Sequence, residues 1–368
     1  MERPLQQVLA SYNAAAPLSE ASTIPSPYYV DERIAELERQ AVFSRTWQWV
    51  GRTDQVDEPG KFVTFTAADE PVVVVRGQDN QLRAFFNVCR HHAAAVVREP
   101  WGTASILRCP YHGWSYDLNG ALKGTPEFQG VCNFDRSQNG LVPVAVDTWE
   151  KFVFVNLDPQ APSLRDFLGG LPRRCAPLGL SQLHYVDSRT YELNCNWKVF
   201  TDNYLDGGYH VPHLHKGLNS VLEYQQYTIE NEDRYCLQSS PMTSSSDSAV
   251  ASARRGDRAN YFWQYPNLMI NCYQGYMDTN LVIPLNAGRC RVIFDFYFDK
   301  TGGEHEAYNR QSIEVSHRVQ MEDAGICEDV QRGLKSRAYR EGRLSVRRES
   351  GEHLFHRLLA EDLQRALA

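Results

Sequence analysis

Two short pairs of side chains constrain this chain more than anything else in it: Cys89-Arg90-His91 and Cys109-Pro110-Tyr111-His112, with 17 residues between them. Thiols and imidazoles at such spacing are metal ligands by residue type. To aim all four at one place, the chain must form two tight loops on a rigid support. The neighbouring text supplies a β scaffold. KFVTFTA, PVVVVRG and LRAFFNV are short β-rich runs separated by Gly, Pro and Asp, which marks strands joined by turns. The β character persists to FVFVNLDP at 152–159. Residues 46–158 therefore read as a small all-β domain around two ligand loops.

Spacing leaves two metal chemistries open. Two cysteines and two histidines can hold one tetrahedral zinc. They can equally hold a [2Fe–2S] cluster in which two thiolates bind one iron and two imidazoles the other. Neutral imidazoles leave less negative charge at the site than four thiolates, which raises the potential to somewhere within about −150 to +300 mV. Four unliganded core residues in two such compact pairs would be a large coincidence.

A second group lies in Asn196-Trp197-Lys198 through Tyr209-His210-Val211-Pro212-His213-Leu214-His215. Two histidines and a carboxylate leave one face of Fe(II) open to oxygen and substrate. His210 and His215 are five apart, so on a regular helix they diverge by about 140°. A break near Pro212 would bring them together, since proline removes a backbone bond and bends the chain. His213 competes on distance. The carboxylate must come from elsewhere, and VQMEDAGICEDVQRGL offers Glu322, Asp323, Glu328 and Asp329. If Asp323 faces inward, Ile326 and Val330 should share its side and be buried.

The remaining text frames these groups. DERIAELERQAVFSR at 31–45 reads as a helix capped by Asp31, with Ile34, Leu37, Ala41 and Val42 as its apolar stripe. Residues 162–180 read as helix and loop, YELNCNWKVF as a strand entering a helix, and 304–336 as a long helix. Residues 237–260 read as a polar, Ser-rich loop. NLMINCY, NLVIPL and CRVIFDFYF read as strands. A chain of 368 residues, 42% apolar, can bury two cores. Its formal charge of −7 with no long basic run argues against nucleic acid. No stretch is long and apolar enough for a membrane span, and the first residues do not read as a secretory signal. Nine scattered cysteines are a poor disulfide framework. These features predict a cytoplasmic protein.

The segments CRHHA, CPYHGWSYDLNGAL, GLVPVAVDTW, NWKVFTDNYLDGGYHVPHLHK, YPNLMIN and EDAGICEDVQRGL resemble the alpha subunits of Rieske non-haem iron oxygenases, in the choline monooxygenase-like branch. The resemblance runs from about residue 25 to 360. It implies an α+β protein: an all-β Rieske [2Fe–2S] domain at 46–158 and a helix-grip catalytic domain at 159–368, with an antiparallel sheet around a long C-terminal helix. Residues 1–45 would be an arm and helix packed with the catalytic domain. Cys89, His91, Cys109 and His112 would hold the cluster, Trp114 would shield it, and Arg90 and His92 would not be ligands. His210, His215 and Asp323 would hold the iron, with Glu322 as the rival to Asp323. Asp206 would bridge a ligand histidine to the cluster of a neighbouring subunit. Many members place two residues between this acid and the first histidine; here there are three, a spacing shared by the choline monooxygenase-like branch.

The resemblance also implies O2-dependent C–H hydroxylation, a homotrimer, and a separate flavin or iron–sulfur reductase delivering electrons from NAD(P)H. No Gly-rich nucleotide motif follows a strand here. A choline-like quaternary amine is the leading substrate. Phe262, Trp263, Tyr265, Tyr273 and Tyr276 offer an aromatic box for it, with Asp278 as added charge. Hydroxylation or demethylation of an aromatic or heterocyclic substrate is the alternative with the same metals. A Rieske electron carrier or redox sensor is the alternative of another class.

Overall fold

The computed structural model describes residues 3–243 and 253–367. They divide into two compact units: Arg39–Phe167, and a second made of residues up to Glu38 together with Leu168 onward.

The Arg39–Phe167 unit is built from β1 (Gln48–Arg52), β2 (Lys61–Ala67), β3 (Glu70–Arg76), β4 (Leu82–Phe86), β5 (Trp101–Thr103), β6 (Leu107–Arg108), β7 (Ser115–Tyr116), β8 (Leu122–Gly124), β9 (Pro143–Trp149) and β10 (Phe152–Asn156). Seven of these form an antiparallel sheet in the order β1-β10-β9-β4-β3-β2-β5, and β6-β7-β8 form a small second sheet. The run PVVVV in β3 is apolar at every position because both faces are covered. Val72 and Val74 pack with Val153 and Val155 on one side. Val73 and Val75 pack with Cys89, Cys109, Trp114 and Tyr116 on the other. A strand alternates its side chains, so β3 joins the sheet's core to the ligand loops.

In the other unit two short helices, Leu5–Leu9 and Pro27–Val30, precede α1 (Glu32–Glu38). Asp31 caps it by accepting from Arg33 N at 3.0 Å. A wider π-type turn at Arg39–Phe43 follows, and all four stripe residues, Ile34, Leu37, Ala41 and Val42, are buried. Further along come β11 (His184–Leu193), α2 (Trp197–Leu205), α3 (Val211–Leu214), β12 (Thr228–Glu232), β13 (Tyr235–Pro241), β14 (Arg258–Gln264), β15 (Leu268–Tyr273), β16 (Tyr276–Asn286), β17 (Arg289–Phe298), α4 (His305–Leu334) and α5 (Ser350–Leu367). The strands form one antiparallel sheet, β11-β17-β16-β15-β14-β13-β12. The architecture is the expected α+β combination of a β unit and a sheet wrapped on helices.

Two expectations need correction. Residues 237–241 and 258–260 belong to β13 and β14 rather than to a loop. Between them, 244–252 lie outside the described residues. On α4, Ile326 and Val330 are 38% and 45% exposed. The buried face instead carries Ser312, Ser316, Gln320, Cys327 and Gln331. At about 100° per residue that face centres near Cys327, about 40° round from Asp323. Asp323 lies inside that arc, between Ser312 and Ser316, while Ile326 falls outside it and Val330 at its margin.

Candidate functional site

The first site is a pair of loops against the small β sheet. Cys89 N donates to Ala94 O and Ala93 N to Cys89 O, closing one loop at 2.9 and 3.0 Å. Cys109 N donates to Trp114 O and Gly113 N to Cys109 O, closing the other at 2.8 and 3.1 Å. Gly113 turns with φ +72°, a conformation costly for other residues. Both cysteines are buried and neither is in a disulfide. Burial, and then the neighbouring Cys89 thiol, push the Cys109 thiol up, against backbone N–H donors of Tyr111 and His112. Tyr116 braces the first loop, its hydroxyl 3.4 Å from Cys89 Sγ and accepting from Arg90 N at 3.0 Å.

The His91 and His112 rings lie 4.7 Å apart, and Trp114 stacks on His91 at 4.7 Å and 6°. His91 Nδ1 is buried without a hydrogen-bond partner among the described residues. Desolvation, with His92 and His112 nearby, holds the His91 pKa below the ordinary imidazole value. A neutral, unpartnered ring nitrogen suits a metal bond, since buried polar atoms otherwise find partners, and His91, His92 and His112 each bring a nitrogen within 4.8 Å of the others. The donor set thus fits a cluster with two sulfur and two nitrogen ligands. The exposed His92 ring also lies 4.1 Å from His91.

The second site is built by α2, the turn after it, and α4. Asn196 caps α2 by accepting from Lys198 N at 3.0 Å. Asp206 ends the helix, and Gly207 and Gly208 reverse the chain with φ +67° and +68°. A Cβ on Gly207 would collide with Arg348 O. His210 and His215 then bracket the one-turn helix α3. Pro212 lies in the first turn of α3, where no backbone donor is needed. The break therefore falls at the glycine pair and at His215, not at Pro212. The two imidazole rings come to 4.9 Å, while His213 points outward and is exposed.

Both histidines turn toward Asp323. His215 Nε2 is 2.9 Å and His210 Nε2 3.8 Å from Asp323 Oδ1. One ligand atom from each of the three residues lies within 4.8 Å of the others. Each imidazole is held from behind by its own carboxylate. His210 Nδ1 donates to Asp206 Oδ2 and His215 Nδ1 to Glu322 Oε2, both at 2.6 Å. With each Nδ1 donating to a carboxylate, Nε2 of each ring is turned toward Asp323, the arrangement by which carboxylates orient ligand histidines. Burial is the largest single influence on His215 and lowers its pKa, but Asp323 and then Glu322 together outweigh it and raise the pKa above the ordinary imidazole value. Glu328 accepts from Asn194 N at 2.9 Å, and Asp329 pairs with Arg332, so these two acids are engaged elsewhere. Asn203 Nδ2 donates to Asp323 Oδ1 at 2.9 Å. Sequence reasoning did not single out Asn203, because 120 residues separate the partners.

The triad forms part of the wall of a cavity of about 120 Å³. Of the five aromatics expected to box a ligand, Tyr273 alone lines it; Tyr204, Tyr227, Tyr261, Phe200 and Phe294 complete the aromatic wall. Trp263 and Tyr265 pack into the core, with Trp263 against Phe355 of α5 at 5.6 Å. Phe262 is buried and Tyr276 packs at a tilt against Phe298. Asp278 does reach the cavity. It accepts from Tyr276 Oη, Asn271 Nδ2 and Asn280 Nδ2 at 2.5, 2.7 and 3.2 Å. Burial pushes its carboxyl above the usual range.

Residues 180–365 match the ring hydroxylating alpha subunit (catalytic domain) family, and residues 46–135 match the Rieske [2Fe-2S] domain family. The chain is 39% identical to choline monooxygenase, chloroplastic, of Arabidopsis thaliana, over 98% of this chain and 87% of that one. It is 32% identical to the carnitine monooxygenase oxygenase subunit of Escherichia coli (strain K12), over 95% and 96%. The quaternary ammonium Rieske monooxygenase CntA in complex with substrate L-carnitine superposes with a TM-score of 0.83 at 28% identity, covering 98% of this chain and 99% of that one.

Proposed function

Because this chain belongs to the Rieske non-haem iron oxygenases, as an alpha subunit with both the Rieske and the ring-hydroxylating catalytic domain, we propose that it hydroxylates a C–H bond of a small quaternary amine, with a choline-like compound as the leading substrate. It is an oxidoreductase whose cofactors are a [2Fe–2S] cluster and a mononuclear iron. When bound, these groups supply the electrons and the O2 site that a monooxygenase reaction requires.

In this reading Cys89, His91, Cys109 and His112 hold the cluster, and His210, His215 and Asp323 hold the iron. Glu322 and Asp206 keep the two imidazoles in the tautomer that presents Nε2. Asp206 also lies on the electron route from the cluster of a neighbouring subunit in a head-to-tail homotrimer. A separate NAD(P)H-dependent reductase feeds that cluster. One observation carries the substrate class: the cavity beside the triad is walled by tyrosine and phenylalanine rings, with Asp278 among them. Ring faces attract a quaternary ammonium. The homology to choline and carnitine monooxygenases supports the same class.

The test is anaerobic loading with iron, then turnover with a surrogate reductase against choline, carnitine, betaines and aromatic acids. Oxygen uptake coupled to oxidation of an ammonium compound is expected. Coupled turnover of the aromatic acids alone would replace the amine by an aromatic substrate.

A further inference from the structure

Among the described residues, the cavity wall contains one permanent cation of the protein's own. Arg254 lines it and is only 7% exposed. Its guanidinium stays charged at any working pH. A bare quaternary ammonium would enter this cavity against that charge.

Arg254 is fixed rather than mobile. Nη2 donates to Ser316 Oγ at 2.7 Å and Nη1 to Ser312 O at 3.4 Å, tying it to α4. The Tyr273 and Tyr276 rings flank the guanidinium carbon at 4.8 and 4.6 Å. Those two faces are therefore already engaged by a cation, which leaves the ammonium of a ligand to the other rings. All of these contacts are neutral. Asp278 is nearby, but its oxygens receive Tyr276, Asn271 and Asn280. Arg254 Nε, buried, has no hydrogen-bond partner among the described residues. A buried donor on a charged group normally has one.

We propose that Arg254 is the anion subsite of this cavity, and that the substrate is a zwitterion carrying a carboxylate as well as the quaternary ammonium. This rests on the quaternary-amine reading and, within it, sets a betaine-like zwitterion in place of the choline-like compound. A carboxylate is the planar acceptor that the guanidinium fork fits, and it supplies both the missing charge and an acceptor for Nε. The place of the subsite also sets the length of the molecule. Ser316 precedes Asp323 by seven residues on α4, about 10 Å along the axis. With its carboxylate at Arg254 and a methyl carbon at the triad, the substrate needs several carbons between nitrogen and carboxylate rather than one.

The experiment compares trimethylammonium butanoate with its methyl ester by calorimetric titration of the metal-loaded protein, with choline as a third ligand. The pair differs in charge and little in shape. Wild type should bind the acid roughly 100-fold more tightly than the ester, and Arg254→Gln should reduce that preference to near unity. A folding defect in the variant would weaken both ligands alike and leave the ratio standing. If the variant does not fold, the wild-type ratio decides alone. Equal wild-type affinity for acid and ester, or an unchanged ratio in Arg254→Gln, would overturn the subsite while choline or ester binding left the amine reading intact. No binding of any of the three would overturn both.

Discussion

His215 is where most of the catalytic geometry converges: 1% of its side chain is exposed, and a carboxylate sits at each ring nitrogen. Removing the ring removes one of two imidazoles from the triad and leaves the other unit untouched. His215→Ala should therefore keep the Rieske EPR signal, lose the mononuclear iron and abolish product formation. Iron retained by metal analysis, with product still forming, would take His215 out of the site. Glu322 acts one step further back, on His215 Nδ1. Losing a carboxylate that orients a metal-binding histidine costs about 10–100-fold in affinity or activity. Glu322→Ala should weaken iron binding by that factor, measured by competition with a chelator, and an unchanged affinity would make Glu322 a surface acid. The cluster loops were legible because each Cys/His pair is made within four residues by a local turn. The placements of Glu322 behind His215 and of Arg254 in the cavity wall were not. Glu322 and His215 are 107 residues apart, and a charged residue gives no sign in sequence of which face of its element is covered.

At the scale of elements, the run Asn196-Trp197-Lys198 shows how a motif that looks functional can be architectural. Asn196 caps α2, and its Nδ2 donates to Tyr29 O and Ala287 O at 2.9 and 3.0 Å. Trp197 Nε1 and Lys198 Nζ both donate to Glu38 at the end of α1, at 2.7 and 2.6 Å. Lys198 and Glu38 are each fully buried. Desolvation opposes both charges, pushing the Glu38 pKa up and the Lys198 pKa down, while each attracts the other. Breaking one side of such a pair leaves a buried charge uncompensated, at a cost of about 3–5 kcal/mol. Lys198→Met should lower the unfolding free energy by that amount in denaturant melts. Glu38→Gln with Lys198→Met should recover part of it; no recovery in the double variant would show that the two residues do not interact. Helix and strand positions around this knot were readable from periodicity. The α3 turn was harder, because proline is the loudest breaker in the text while the glycine pair and His215 make the actual bends. The face of α4 was misjudged for a related reason. An inward helix face is read from apolar residues, and this one mixes Ser312, Ser316, Gln320 and Gln331 with Ile313, Val315, Cys327 and Leu334, part of it lining the cavity.

At the scale of the molecule, the two sites are separate chemical devices in separate compact units, and turnover requires them to communicate. Asp206 holds His210 through Oδ2 and accepts from Tyr209 N through Oδ1 at 3.1 Å. Its side chain is 14% exposed, and the neighbouring Tyr209 is 48% exposed. On the other unit, His112 is exposed. In the proposed reading His112 holds the cluster and Asp206 lies on the electron route, and exposure of the first would suit a head-to-tail ring, in which each contact is heterologous and closure sets the number of subunits. Such a ring makes activity a property of neighbours rather than of single chains. A chain with Cys109→Ser has no functional cluster in this reading, and a chain with His215→Ala has no functional iron. Each should be inactive alone. Co-expressed and purified as mixed oligomers through two different tags, they should regain activity, because a good cluster then lies next to a good iron across an interface. In a trimer of two defective-iron chains and one defective-cluster chain, one good iron remains, and both neighbours carry good clusters. Mixed oligomers that stay inactive, while an unmutated chain mixed in the same way is active, would mean that each chain transfers electrons within itself, and the role of Asp206 would then be confined to orienting His210.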